Sequence, residues 1–297
     1  GRNVDTEAAL VVLNASTEPR EGLAIRASLP GRPETLTRLP RLIPASARKL
    51  GFRIQGDAPT APGNPELKVE LLGPSKNGSK DSWETLDTAR IGLRILKPDQ
   101  ARKITFRSKI DGGIQYYSLL PALPETDAKA KPGLVLTLHG AGVEGISQAQ
   151  SYAPKRGLNI VAATNRRPFG FDWEDWGRLD ALEVLEIART TLAPDPSRIY
   201  LTGHSMGGHG TWQLGVNFPD RFAAIAPSAG WVSMRSYAGA KELGTTKDGD
   251  LEAILGRSIK SSDTLGLARN LSTLGVYILH GDADDNVPVD QARQMRH

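Results

Sequence analysis

The chain has 297 residues, 39% hydrophobic and 24% charged, the balance of a folded globular protein with room for one large or two ordinary domains. Its formal net charge is +4, but the basic residues are scattered, with none in a run longer than a pair such as Arg166-Arg167, so no nucleic-acid partner is expected. No apolar run reaches the length of a membrane span, and the absence of cysteine excludes a disulfide framework, a thiolate nucleophile and a cysteine-ligated zinc.

Beginning at Gly1 without an initiator Met or a leader, the chain is expected to be a piece of a longer precursor. Residues 1–99 carry short apolar or alternating runs at 10–13, 23–27, 50–54, 67–72 and 91–96. Turn-forming stretches such as Pro30-Gly31, Ala61-Pro62-Gly63-Asn64-Pro65 and Lys76-Asn77-Gly78 separate them. This spacing predicts a small β-sandwich of immunoglobulin-like size. It has no histidine and no acidic cluster at ligand spacing, so no chemistry is assigned to it. A carbohydrate-binding role would rest on Trp83 alone, and a spacer module is the plainer reading.

Residues 100–297 change texture. Residues 103–110 and 114–120 read as a hairpin around Asp111-Gly112-Gly113. After a polar link at 124–132, strands are predicted at 133–138, 158–164, 198–202, 222–226 and 276–279, with a helix at 178–192 whose stripe is Ala181, Val184, Leu185, Ala188 and Leu192. The predicted fold class is therefore α/β, a mostly parallel sheet flanked by helices and opened by an antiparallel hairpin. Ligands in such sheets bind where the strands end at their carboxyl side.

Four loops at that edge carry candidate chemistry. His139-Gly140-Ala141-Gly142 is a turn of small residues able to aim a backbone N–H, from Ala141 or Gly142, at an oxygen that gains charge. Here His139 reads as a packing residue. The stretch Asn165 to Trp176 holds two Trp and two Phe beside Arg166 and Arg167. Trp173, Trp176 and Arg166 are substrate-binding candidates as a stacking wall with a carboxylate anchor. The plainer reading, and the preferred one, is a loop pinned by Arg166 or Arg167 on Asp172, Glu174 or Asp175.

The third loop, Gly203-His204-Ser205-Met206-Gly207, lies between an apolar strand and a helix with apolar positions at Met206, Trp212, Leu214, Val216 and Phe218. Strand, G-x-S-x-G and helix together describe a nucleophile elbow, in which the serine takes a strained backbone conformation and neighbouring glycines permit close approach. The residue before the serine is expected to be buried, and Met206 N–H to be the other oxyanion donor. The fourth loop, residues 280–288, offers Asp284 as an acid able to orient a histidine. A calcium-loop reading fails, because Val287 and Arg293 stand where Gly and Glu are required. Residues 231–270 are expected to form an insertion or lid.

These motifs resemble the α/β-hydrolase family and, within it, the prolyl-oligopeptidase-like serine hydrolases and the related secreted esterases and depolymerases. The resemblance rests on His139 to Gly142, Gly203 to Gly208, Phe218 to Gly230 and His280 to Pro288, in the family's order. It implies Ser205 as nucleophile, Asp284 as triad acid, and a small ester or peptide substrate, with a polysaccharide-linked ester among the options. It also implies a secreted or periplasmic location; no metal or organic cofactor is required by the chemistry. The family order Ser, Asp, His places the base after Asp284, where His297 stands. A helix starting near residue 289 and a following strand need roughly 16 residues before that base, so the chain is expected to stop short of its histidine and to be inactive by itself. The alternative reading is a noncatalytic binding protein on the same scaffold.

Overall fold

The structure, a computed structural model, describes residues 6–56, 64–75, 82–127, 129–170, 172–237 and 250–296. The turn residues 61–63 and 76–78, Phe171, residues 238–249 of the expected insertion and His297 lie outside the described residues. The chain divides into two compact units, one of Gly1–Lys97 with Thr105–Gln115, the other of Pro98–Ile104 with Tyr116–His297.

The first unit is built from β1 (Thr6–Asn14), β2 (Ala24–Ser28), β3 (Thr35–Arg38), β4 (Ser46–Ile54), β5 (Glu66–Pro74) and β6 (Trp83–Gly92). One sheet pairs β1 with β4, Leu10 opposite Leu50, and the other runs β3-β2-β5-β6, every pair antiparallel. Alternation puts Phe52 of β4 into one cluster with Ile25 and Ala27 of β2 and Leu67 and Val69 of β5, so the two sheets face each other over an apolar layer. The expected run at 91–96 is strand only as far as Gly92, because its partner β5 begins at Glu66, opposite Gly92. β3 carries a single large apolar residue, Leu36, and no pattern announces it. The Arg38 guanidinium lies 5.4 Å over the Trp83 ring, so that ring face is covered by a side chain of the same unit. Thr105–Gln115 is tied in by Arg107 Nη2, 2.7 Å from Glu7 Oε1.

A seven-stranded sheet has the order β13-β12-β11-β9-β10-β8-β7. Its members are β7 (Arg102–Arg107), β8 (Ile114–Leu120), β9 (Gly133–Leu138), β10 (Leu158–Ala162), β11 (Ile199–His204), β12 (Ala224–Ser228) and β13 (Gly275–Val276). β9 to β13 are parallel neighbours and β8 runs antiparallel to β10. β9 shows why: Leu134, Leu136 and Leu138 on one face and Thr137 on the other are fully buried, a strand covered on both sides as parallel sheets require. The last strand is assigned over two residues rather than 276–279, yet the ladder runs on, with Tyr277 N–H donating to Ile225 O and Leu279 N–H to Pro227 O.

The helices are α1 (Gly145–Gln150), α2 (Asp175–Leu192), α3 (Met206–Asn217), α4 (Met234–Tyr237), α5 (Asp250–Ser258) and α6 (Asp290–Arg296). In α2 the stripe Ala181, Val184, Leu185 and Ala188 is buried as patterned, with Asp180 buried beside it. α3 is buried from Met206 through Val216, the signature of a helix enclosed on every side. Replacing Leu136 by Ala, in the middle of the central strand, should lower the unfolding free energy by about 2–5 kcal/mol with an unchanged fold, as measured by chemical denaturation.

Candidate active site

Four chain crossings meet at the carboxyl edge of the parallel strands. Ser205 follows β11 and caps α3 with φ 57° and ψ −119°, a conformation that non-glycine residues avoid. Two bonds hold it: Ser205 N–H donates to Ser228 O at 2.9 Å, and His209 N–H donates to Ser205 O at 3.0 Å. Neighbouring space is closed by backbone. A Cβ on Gly207 would run into the Leu138 carbonyl oxygen, and one on Gly203 into that of Gly207. His204, expected to be buried, is exposed: it ends the strand at the rim, where its Nδ1 lies 3.1 Å from Ser228 Oγ.

The His139 loop lies against the serine. A Cβ built on Gly140 would stand 3.5 Å from Ser205 Cβ, so the loop and the serine are near neighbours. His139 is fully buried, with Nδ1 2.9 Å from Gly140 O and Nε2 2.9 Å from Thr164 O, a packing role as expected. Of the two oxyanion candidates, Gly142 is corrected: its N–H is already donated to Pro168 O at 3.1 Å. Ala141 remains the alternative of the pair, on an exposed turn, with Met206 at the start of α3.

The aromatic loop departs most from expectation. Trp173 is fully buried, donates Nε1–H to His139 O at 3.0 Å and packs edge-on against the His139 ring at 4.9 Å. It is a pillar beneath the His139 loop, and the stacking-wall role is withdrawn. Arg166 is also inside, with only 8% of its side chain exposed; its Nε stands 3.1 Å from Asp180 Oδ1 and its Nη2 3.3 Å from Glu183 Oε2. A guanidinium so engaged has no fork left for substrate, so its substrate-binding role is withdrawn too. The pinning partners are residues of α2, not the loop acids named from sequence. Asp180 Oδ2 also accepts from Thr164 N–H at 3.1 Å; burial raises the Asp180 pKa, while Arg166 opposes the rise. Trp176 is 37% exposed, with the Arg166 guanidinium 5.9 Å from its ring centroid.

Asp284 sits in a loop that its own carboxylate organises. Oδ1 accepts from Val287 N–H at 2.9 Å and Asn286 N–H at 3.0 Å, and Oδ2 lies 3.5 Å from His280 Nε2. The Val287 N–H, followed by the Asn286 N–H and the nearby His280 and His204 rings, holds the carboxyl below its ordinary pKa against the opposing effect of burial. His280 Nε2 is 2.7 Å from Val287 O, and Tyr237 Oη donates to Asn286 Oδ1 at 3.1 Å, joining the first turn of the insertion to this loop. Among the described residues no histidine bridges Ser205 and Asp284: His139, His204, His209 and His280 are each committed to other partners.

Sequence reasoning missed one group. His209, fully buried in α3, places Nδ1 2.8 Å from Trp231 O and Nε2 3.1 Å from Glu174 Oε1, with Asp172 Oδ2 4.0 Å away. Asp172 has its pKa pushed up to about 7, first by burial, with His209 opposing and Glu174 adding to the rise. The acids and the histidine are 35 or more positions apart in the chain, and no spacing rule joins them.

The fold is that of the α/β-hydrolases. Residues 155–297 match the model of the Prolyl oligopeptidase family, so the resemblance to prolyl-oligopeptidase-like serine hydrolases holds. The chain is 28% identical over 274 residues to an "Uncharacterized secreted protein" of Arthroderma benhamiae, covering 86% of this chain and 29% of that one. It is 24% identical over 229 residues to "Prolyl endopeptidase FAP" of Mus musculus, covering 67% and 28%. The chain thus spans less than a third of either curated relative's length. Among solved structures, a puromycin hydrolase mutant complexed with PGG superposes with TM-score 0.51 at 16% identity, over 77% of this chain and 39% of that one. A Mycobacterium tuberculosis puromycin-hydrolyzing peptidase gives 0.50 at 18%, over 78% and 39%. At these identities both comparisons speak to the fold.

Two outcomes follow from the geometry. Arg166→Met should cost about 3–5 kcal/mol in denaturant unfolding, because it strands the buried Asp180 carboxylate, and adding Asp180→Leu should recover much of the loss. The depressed Asp284 pKa makes its loop contacts a stabilising term that is complete above the ordinary carboxylate value near 3.9 and is lost as pH falls through the lower folded-state value. Amide exchange at Val287 should therefore stay protected from neutral pH down to about pH 4 and open only below it; opening between pH 7 and 5 would refute the assignment.

Proposed function

We propose that the chain carries the catalytic domain of a serine hydrolase that cleaves an ester or peptide bond through an acyl-enzyme on Ser205. The observation that carries this reading is the backbone of Ser205, a non-glycine residue at φ 57° on the turn between β11 and α3. Such strain persists where the surroundings enforce it, and in a nucleophile elbow it serves to present the serine hydroxyl.

In the proposed reaction Ser205 Oγ attacks the acyl carbon while its proton passes to the base. The carbonyl oxygen takes the negative charge and accepts hydrogen bonds from Met206 N–H and Ala141 N–H. Collapse of the tetrahedral adduct breaks the bond to the alcohol or amine, which leaves with the proton. Water then attacks the acyl-enzyme by the same route in reverse, releasing the acid and restoring Ser205. Asp284, held ionised by its backbone donors, orients the base and balances the imidazolium charge. The base proposed is a histidine that follows Asp284 in the chain, according to the Ser, Asp, His order of the family.

The Prolyl oligopeptidase match and the relative named a prolyl endopeptidase support the peptide arm of this reading. Residues 1–99 are proposed as an accessory β domain without chemistry of its own. Secretion is proposed on the strength of the secreted relative; no helix among the described residues is long and apolar enough to cross a membrane.

The test uses the full-length protein. A fluorophosphonate probe should label the wild type, and Ser205→Ala should abolish labelling and lower kcat by about 10⁵–10⁶-fold while leaving circular dichroism unchanged. Labelling that survives the substitution places the nucleophile elsewhere. A folded wild type that neither reacts with the probe nor turns over esters or peptides would favour the noncatalytic reading.

A further inference from the structure

His209 poses a chemical problem that the hydrolase reading does not use. The Trp231 carbonyl 2.8 Å from Nδ1 can only accept, so Nδ1 carries the proton. In the neutral ring Nε2 then presents a lone pair, and that lone pair faces Glu174 Oε1 at 3.1 Å and Asp172 Oδ2 at 4.0 Å. Three electron-rich atoms converge, all within 4.8 Å of one another. A second carboxylate oxygen, Asp172 Oδ1, is buried with no hydrogen-bond partner. Among the described residues His209 is the ion-pair partner that Asp172 and Glu174 have, and no lysine or arginine pairs with either. A proton on Nε2 would bring one positive charge to two carboxylates.

We propose that Asp172, Glu174 and His209 form a binding site for one divalent first-row transition-metal ion, of which zinc is the representative case. A dication cancels both carboxylate charges and takes the Nε2 lone pair. Imidazole with two carboxylates is a donor set for zinc and its neighbours, whereas magnesium and calcium prefer all-oxygen shells. The contact from Nδ1–H to Trp231 O is the outer-shell hydrogen bond that a metal-bound histidine makes to fix its tautomer. Bonds of about 2.0–2.2 Å in a tetrahedron set ligand atoms about 3.3 Å apart. Glu174 Oε1 and His209 Nε2 are already near that spacing, and the Asp172 carboxylate, 4.0 Å from Nε2, has to close in further. The side chains of Asp172 and Glu174 are 26% and 21% exposed, so an ion can enter from solvent and keep water in its remaining position.

The consequence is structural. His209 N–H bonds Ser205 O, so an ion here would tie the loop before α2 to the first turn of the helix that carries the candidate nucleophile. No ligand spacing in the sequence hints at this, because the donors come from a loop and from a helix interior.

The experiment takes full-length protein, strips it with a chelator and titrates Zn²⁺ at pH 7.5, reading stoichiometry by calorimetry and Tm by scanning. One equivalent per chain should bind and raise Tm by roughly 5–10 °C at a hundredfold excess over Kd. Asp172→Asn with Glu174→Gln should weaken binding by about 100-fold or more while circular dichroism stays native. Should that pair fail to fold, Asp172→Asn alone, on the partly exposed loop, should still weaken binding at least about tenfold. Absence of stoichiometric binding with an unmoved Tm would overturn the proposal and leave His209 as an imidazolium paired to Glu174. Undiminished binding in the folded variants would overturn it as well, since the ion would then sit elsewhere.

Discussion

The carboxyl edge of the parallel sheet depends on one close approach, the first turn of α3 against the ends of β9 and β12. Gly207 abuts the Leu138 carbonyl, Gly208 abuts that of Ser228, and Gly230 faces Gly208, each with no room for a methyl group. Because backbone meets backbone there, the chain leaving β11 has to turn within a single residue. Ser205 absorbs that turn at φ 57°. The same contact brings Gly140 beside Ser205, so the candidate oxyanion donor at Ala141 and the candidate nucleophile share one origin in packing. Strain at one residue is thus imposed by a surface of well-packed backbone rather than by the serine's own preference.

A second layer supports that edge from below. Trp173 holds the His139 carbonyl, His139 spans Gly140 O and Thr164 O, and Thr164 bonds Asp180, which in turn faces Arg166. Buried polar groups are costly unless satisfied, and this chain of contacts links the buried polar groups from α2 to the loop after β9. It also explains why the loop at 165–176, so rich in aromatic and charged residues, is largely spent on scaffolding. What looks like a recognition surface by composition is a foundation by burial.

The legible parts of the molecule were those governed by periodicity or by local backbone need. The β9 segment, the stripe on α2 and the elbow could be read because buried strands, amphipathic helices and tight turns each leave a pattern within about ten residues. β3 could not, since Leu36 is its lone large apolar residue and its pairing with β2 is settled by the neighbouring sheet. The roles of Trp173 and Arg166 are not decided by local pattern for a different reason: whether an aromatic or a guanidinium faces solvent depends on partners such as His139 and Asp180, far away in sequence. The group of Asp172, Glu174 and His209 belongs to the same class, a tertiary coincidence invisible to spacing.

Asp284 and Ser205, the proposed acid and nucleophile, differ in how the structure holds them. The serine is prepared by conformation, the aspartate by electrostatics, since two backbone N–H groups are bonded to one of its oxygens and leave the other turned toward His280 at 3.5 Å. A carboxylate already ionised by fixed dipoles needs no reorganisation when a neighbouring imidazole gains a proton. His280 is a poor choice for that imidazole, because its Nε2 is held 2.7 Å from Val287 O and its ring belongs to the loop itself. If Asp284 is the triad acid proposed above, the ring it orients is one other than His280. An acid locked by its own turn, as Asp284 is by the Asn286 and Val287 N–H groups, can orient a base but cannot move to meet one.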